Sequence, residues 1–274
     1  MLYLVSTPIG NLKDISTRAI ETLQSVDLIA CEDTRTTGTL LNLLGIKHPP
    51  LTAYHEHNAD KARPILLKKL KQGLNIALVS DAGTPLVSDP GFRLVRSCRE
   101  ENLPVTTIPG ANAVLSALQL SGLPSDSFYF GGFLPPKSSA RQQTLAGIKD
   151  LATTVIFYDT PNRLIDALSD ILNVCGNRLI AVVREITKKF EETKIDFASN
   201  LISYYTENGL PKGELVLVIN RADKTDNTLD KQTLDELILK TLQTSSVKDT
   251  AEIVSTITGL PKKQIYKRAV ELNG

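Results

Sequence analysis

The chain has 274 residues, an apolar fraction of 42% and a formal charge of +1. That is length enough for two compact domains of about 110 residues each plus a small appendage, and the charge excludes a protein that holds nucleic acid by bulk positive charge alone. Three scattered cysteines (Cys31, Cys98, Cys175) form no C-x-x-C pair, which argues against a disulfide framework or a zinc site and for a reducing cytoplasm.

Strand-like runs at 2–6, 28–31, 51–54, 76–80 and 105–108 alternate with amphipathic stretches at 16–23, 34–44, 59–70 and 92–101. Such alternation predicts a mainly parallel sheet covered on both faces. The apolar start at 2–5 is too short for a signal peptide, and no apolar run approaches the ~18 residues of a membrane span. A helix-like segment at 113–120 bridges to a second region. There, strand-like runs at 128–130, 154–158, 179–183 and 214–220 are separated by helical patterns at 142–149, 161–174 and 200–207. The run at 215–219 is continuously apolar, as in a strand buried on both faces. The stretch 221–230 is polar and reads as a linker. Beyond it, Leu234, Leu237, Ile238 and Leu242 have helical spacing, followed by helical 247–257, Gly259 at a helix C′ position, Pro261 opening the next helix, and helical 262–272. Helix, glycine turn, helix is the pattern of a helix-turn-helix, with Ile265, Ala269 and Leu272 inward. The expected organisation is therefore an N-terminal α/β domain at 1–113, a second α/β domain at 114–222, a cleft between them, and a linker with a small helical domain at 223–274.

Five loops follow the first five strands: Thr7-Pro-Ile-Gly-Asn-Leu12, Glu32-Asp-Thr-Arg35, His55-Glu-His-Asn58, the Asp81–Gly91 stretch, and Pro109-Gly-Ala-Asn112. In a parallel sheet they gather at one edge, where ligands bind in open α/β folds. Their convergence describes a site rich in backbone donors, small residues and carboxylates. No G-x-x-x-x-G-K-[ST], G-x-G-x-x-G or G-x-S-x-G occurs in the required context, which argues against a Walker nucleotide triphosphatase, a Rossmann dinucleotide fold and a serine hydrolase. His55 and His57 would share a strand face, but no third ligand has motif spacing. Substrate hydrogen bonding or general-base duty is the better reading for the pair, and no metal is expected. Arg184 and Glu185 end a strand, and Lys188, Lys189, Glu191 and Glu192 after them read as a solvated charged loop. The 131–141 stretch has two glycines, two prolines and the cations Lys137 and Arg141, which suits either a mobile arm that clamps phosphate or a plain connecting loop.

Together, Ser6-Thr-Pro-Ile-Gly-Asn-Leu12, Ala30-Cys-Glu-Asp-Thr-Arg35, Val79-Ser-Asp-Ala-Gly-Thr-Pro85, Gly132-Phe-Leu-Pro, Phe157-Tyr158, Arg184-Glu-Ile-Thr-Lys188 and Lys212-Gly-Glu214 resemble the tetrapyrrole methylase superfamily, and within it the bacterial members that modify small-subunit ribosomal RNA. The resemblance runs nearly end to end. It implies two tandem α/β domains holding S-adenosylmethionine in the trough between them, homodimerisation, and 2′-O-methylation of a cytidine ribose in the decoding region of 16S rRNA on the small ribosomal subunit. It also implies that Ile9, Asp81, Ala82, Gly83, Thr84, Pro109, Gly110, Ala111, Asn112 and Tyr158 line the cofactor. The chain departs from the usual pattern at Pro109-Gly-Ala-Asn112, where Pro-Gly-Pro-Ser is common, and at Tyr158-Asp-Thr-Pro-Asn162, where Tyr-Glu-Ser-Pro-His is common.

A ribose hydroxyl is a poor nucleophile, so a base or hydrogen-bond acceptor should help remove its proton. Glu32, Asp33, His55 and Glu185 are the candidates, and the sequence does not choose among them. Arg35 and Arg184 are expected to hold phosphate or orient a carboxylate. Lys137 and Arg141 are expected to grip the RNA backbone, with Lys262, Lys263, Lys267 and Arg268 extending that grip. Two other readings compete: a methyltransferase of the same fold acting on a tetrapyrrole or a protein, and a non-catalytic rRNA-binding assembly factor.

Overall fold

The computed structural model describes residues 1–222, 231–258 and 260–273. The chain divides into two compact units, Met1–Asn220 and Arg221–Gly274. The first unit contains two five-stranded sheets. Strands β1 (Leu2–Val5), β2 (Leu28–Cys31), β3 (Leu51–Ala53), β4 (Ile76–Val79) and β5 (Val105–Ile108) form the first, in the order β3-β2-β4-β1-β5. Every neighbouring pair in it is parallel. The connecting helices are α1 (Thr17–Ser25), α2 (Thr34–Leu43), α3 (Ala59–Lys71) and α4 (Phe92–Glu100).

Strand periodicity explains why this sheet is apolar on both sides. Leu2, Leu28, Ala30, Ile76 and Leu78 face a core with Leu66 and Leu70 of α3 and Leu94 and Cys98 of α4. The alternate residues Val5, Ile29, Cys31, Ala77 and Val79 face Ala19 and Leu23 of α1 and Leu41 of α2. The helices after β1 and β4 thus cover opposite faces, although β1 and β4 are neighbours. The sheet's topological switch point lies between these two strands, and their carboxyl ends open a crevice.

Helix α5 (Ala113–Ser121) packs through Val114, Ala117 and Leu118 on one face of the second sheet. That sheet consists of β6 (Phe128–Phe133), β7 (Thr154–Asp159), β8 (Leu179–Arg184), β9 (Glu192–Phe197) and β10 (Leu215–Ile219), in the order β6-β7-β10-β8-β9. Only β6 and β7 are parallel; the other three pairings are antiparallel. Helices α6 (Ser138–Ile148), α7 (Leu164–Cys175) and α8 (Ala198–Asn208) bury Leu145, Leu168, Ile171 and Leu201 against its other face.

The charged loop expected after β8 stands at 185–191 and leads into a strand, β9, that the sequence reading did not foresee. It was hidden because it is an edge strand of Glu, Thr, Lys and Asp with two apolar residues and little burial, the charged composition that blunts an exposed edge. One expectation is corrected here: the 131–141 stretch is not a mobile arm. Its glycines sit at an irregularity within β6, and Ser138 already opens α6.

The second unit comprises α9 (Lys231–Leu242), α10 (Val247–Thr258) and α11 (Lys262–Asn273) around Leu234, Ile238, Ala251, Val254, Ile265 and Ala269. The linker expected at 221–230 falls outside the described residues from 223 onward, as does Gly259 with its C′ role. Among the described residues no helix is long and apolar enough to cross a membrane.

Candidate active site in the cleft of the first unit

A cavity of about 430 Å³ lies between the two sheets of the first unit. Its wall on the parallel sheet comes from the switch-point loops: Ile9 after β1, and Asp81, Ala82, Gly83, Thr84, Val87, Ser88 and Asp89 after β4. Asn112 and Ala113 add the start of α5. The other wall is Phe133, Tyr158, Asp159 and Thr160, with Gly213, Glu214, Leu215 and Val216 from the approach to β10 and its first residues.

The two switch-point loops are tied together. Thr7 N–H donates to the Gly83 carbonyl at 2.9 Å, and Gly83 N–H donates back to Thr7 at 3.1 Å. Gly83 has φ +79, and a Cβ there would lie 3.2 Å from Ile9 Cγ2. A side chain would be strained by the backbone and would crowd the cavity wall, which is the reason for glycine. Thr84 Oγ1 donates to the Ala111 carbonyl at 3.1 Å and accepts from Asn112 Nδ2 and Ser6 Oγ, each at 3.3 Å. Asn112 Oδ1 in turn caps α5 by accepting from Leu115 N–H at 3.1 Å.

On the facing wall, Tyr158 stands between Phe130 and Phe133, with ring centroids 4.9 and 5.2 Å away in edge-to-face geometry. Burial, with Asp89 and Glu214 nearby, pushes its hydroxyl up to about 12. Asp159 Oδ1 accepts from Arg163 at 2.5 Å and from Thr160 N–H at 2.7 Å. Its Oδ2 is buried with no hydrogen-bond partner. A brace holds the Gly213–Glu214 segment. Glu185 Oε1 accepts from Glu214 N–H at 3.1 Å and from Lys188 Nζ at 2.9 Å, while Lys188 also reaches Glu214 Oε2 at 2.8 Å.

Seven of the ten residues expected to line the cofactor stand on this cavity: Ile9, Asp81, Ala82, Gly83, Thr84, Asn112 and Tyr158. Pro109, Gly110 and Ala111 are not among the lining residues, though the Ala111 carbonyl accepts from Thr84, which is one of them. None of the four base candidates lines the cavity. Asp33 caps α2 and holds Arg35 at 2.7 Å; the Arg35 hydrogen bonds keep its carboxyl down at about 2. Glu32 is raised by burial and by Asp81, with His55 pulling the other way. His55 Nδ1 is buried without a partner. Glu185 belongs to the brace, and hydrogen bonds from Lys188 and Glu214 N–H hold its carboxyl below the usual range.

The basic candidates separate clearly. Arg141 is buried, its guanidinium on Asp170 at 2.7 Å with the two side chains 3% and 8% exposed. It cannot reach a phosphate, and its expected RNA contact is withdrawn. Arg184 donates to Glu192 at 2.6 Å, Lys262 to Glu252 at 2.7 Å, and Arg268 to Asp235 and Glu271. Arg35, Lys137, Lys263 and Lys267 are exposed. The sequence reading missed Asp89, Phe133, Asp159 and the Gly213–Val216 segment. For Phe133 and Gly213–Glu214 the motifs were visible but nothing local said which wall they build.

An α/β sheet with a switch-point cavity, closed by a second mixed sheet, defines a class. The family described as Tetrapyrrole (Corrin/Porphyrin) Methylases matches residues 1–202, and the chain belongs to it. Solved structures share the fold: the methyltransferase CobJ (TM-score 0.60, 14% identity, 81% of this chain and 94% of that one) and the uroporphyrin-III C-methyltransferase of Thermus thermophilus complexed with S-adenosylhomocysteine (0.54, 14%, 80% and 96%). The relatives by sequence are more particular. Proteins named Ribosomal RNA small subunit methyltransferase I are 46% identical in Haemophilus influenzae (97% of this chain, 95% of the relative) and 44% identical in Escherichia coli O157:H7 (100% and 96%). The RsmI C-terminal HTH domain family matches residues 228–273, so it is this branch of the methylases that the chain joins.

The cavity fits S-adenosylmethionine. Its volume lies in the usual range of about 300–1,000 Å³ for small-molecule sites. Its apolar surfaces at Ile9, Val87, Phe133 and Leu215 suit a purine and a thioether-like carbon chain. The unpartnered Asp159 Oδ2 is a built acceptor for an amino or hydroxyl donor.

Proposed function

We propose that this chain methylates the ribose 2′-oxygen of a cytidine in the decoding region of 16S rRNA, using S-adenosylmethionine. The observation that carries the reading is the relation, at full length and over both units, to proteins bearing the small-subunit methyltransferase I name. In this reading S-adenosylmethionine supplies a methyl carbon on a cationic sulfur. Ile9, the Asp81–Thr84 turn, Asn112, Tyr158 and Asp159 hold the donor; Pro109, Gly110 and Ala111 hold the turn.

Much of the acceleration comes from positioning, because well-oriented reactions reach effective molarities of ~10⁵ M or more. Two hydrogen-bonded loops and the Glu185–Lys188–Glu214 brace supply a rigid frame for it. Lys137, Arg35 and Arg184 beside the first unit's loops, with Lys262, Lys263, Lys267 and Arg268 on the helical unit, contact RNA phosphates. The protein works in the cytoplasm as a homodimer on the small subunit, its organisation being the three domains 1–113, 114–222 and 223–274.

Mass mapping of ribose methylation in 16S rRNA, with and without the gene, tests the reading. The expected result is one cytidine that loses its methyl group in the null strain and regains it from the wild type but not from a variant unable to bind the donor. Rescue by the donor-blind variant would establish an assembly factor instead. Transfer of label to a tetrapyrrole or protein, and not to RNA, would refute the substrate.

A further inference from the structure

We propose that Asp89 is the proton acceptor of the methyl transfer, a role that rests on the function proposed above. Four carboxylates line the cavity: Asp81, Asp89, Asp159 and Glu214. Three have other duties. Asp159 is paired with Arg163, Glu214 with Lys188, and Asp81 Oδ1 accepts from Asp33 N–H at 3.2 Å. Asp89 is the one that, among the described residues, makes neither an ion pair nor such a backbone bond. It faces the same space as Tyr158.

The backbone that presents it is strained. Leu86 and Ser88 have φ +73 and +64, a region that costs a non-glycine residue energy and that clusters at functional sites. Pro90 follows, which confines Asp89 to extended conformations. A loop bent at two positions and stiffened at a third fixes one side chain in the cavity wall. The surroundings match the task. Burial pushes the Asp89 carboxyl up to about 6, Glu32 and Asp81 push the same way, and the Ser80 hydroxyl pulls it down. A base that holds its proton more tightly than an ordinary carboxylate, yet is ionised at neutral pH, is the better catalyst.

The hydroxyl proton passes to an Asp89 oxygen. The ribose oxygen's pair forms the new O–C bond, and the pair of the breaking C–S bond stays on sulfur, leaving a neutral thioether. Asp89 then returns its proton to water.

The test uses the full chain and isolated small subunits, with Asp89→Asn, Asp89→Glu and Ser80→Ala. Asp89→Asn should bind S-adenosylhomocysteine by calorimetry as the wild type does, yet lose about 100-fold or more in single-turnover rate. Asp89→Glu should restore part of it. The wild-type rate should fall as pH drops through about 6. Carbon-detected titration of labelled aspartates should show one carboxyl near that midpoint, absent from Asp89→Asn. Ser80→Ala, which keeps the carboxylate, should move both midpoints upward. An Asp89→Asn enzyme with the wild-type rate and pH profile would overturn the assignment, as would loss of donor binding in step with rate, or a Ser80→Ala profile that does not move. A wild type that binds donor but methylates no ribosomal RNA would instead refute the underlying substrate reading.

Discussion

Arg141→Ala separates a structural pair from an RNA clamp. Arg141 Nε and a terminal nitrogen both donate to Asp170 Oδ2 at 2.7 Å, and the guanidinium also reaches the Pro135 and Pro136 carbonyls at 3.3 and 3.4 Å. Asp170 Oδ1 accepts from Gln142 at 2.7 Å and Ser138 at 3.0 Å. Removing the guanidinium leaves a buried carboxylate with only neutral donors, and such a loss costs about 3–5 kcal/mol. For a unit of this size that is roughly 6–20 °C in Tm, at about 2–4 °C per kcal/mol. Thermal and urea unfolding followed by circular dichroism measures it. Asp170→Asn should cost a similar amount by stranding the opposite charge, and an Arg141→Met, Asp170→Leu double variant should recover most of the loss, since apolar replacements of buried pairs are often neutral. Burial raises the Asp170 carboxyl, but the Gln142, Arg141 and Ser138 hydrogen bonds outweigh it and hold the group below its ordinary 3.8. Its contribution is therefore complete above that pH and fades as pH falls below it, and Arg141→Ala should flatten this acid limb. An Arg141→Ala protein with unchanged stability and weakened RNA binding would refute the argument and restore the clamp.

Gly213→Ala should disrupt donor binding through the brace. Gly213 has φ +94, and a Cβ would fall 2.3 Å from Glu185 Oε1, forcing that carboxylate off the Glu214 N–H; calorimetry with S-adenosylhomocysteine should show weaker binding. Gly73→Ala is the control, since Gly73 has φ +89 but nothing within 4 Å; it should carry the backbone cost of about 1–2 kcal/mol and leave binding intact. Lys263→Ala with Lys267→Ala should weaken RNA binding irrespective of sequence and lower the salt slope by about 0.7 for each phosphate of a single strand that is no longer neutralised; an unchanged slope would remove α11 from the RNA interface.

The parallel sheet was legible because its strands are buried on both faces: 28–31 and 76–79 are unbroken apolar runs, and turn residues mark each end. The helical unit was legible from Leu234, Ile238, Ile265 and Ala269 at helical spacing. Strand β9 was not, because an edge strand signals by pairing rather than by hydrophobicity. Arg141 misled for a related reason. A cation among Gly, Pro and Ser looks solvent-facing until its partner Asp170, 29 residues on, is seen beneath it. The site was half visible. Residues on the parallel-sheet side followed from loops at strand ends, whereas Asp159 and Gly213–Val216 reach the cavity only through antiparallel pairings that no local pattern encodes. Asp89 lay within the most conspicuous motif of the chain, and only the competing bonds of its neighbours single it out.

Strand β10 is the last of the described strands in chain order, yet it occupies the middle of its sheet, hydrogen-bonded to β7 on one side and β8 on the other. A nascent chain that has emerged only as far as residue 214 therefore carries two half-sheets with a missing keystone. The floor that Leu215 and Val216 give the pocket arrives with that final insertion. Any fragment cut short of β10 lacks that part of the pocket's wall.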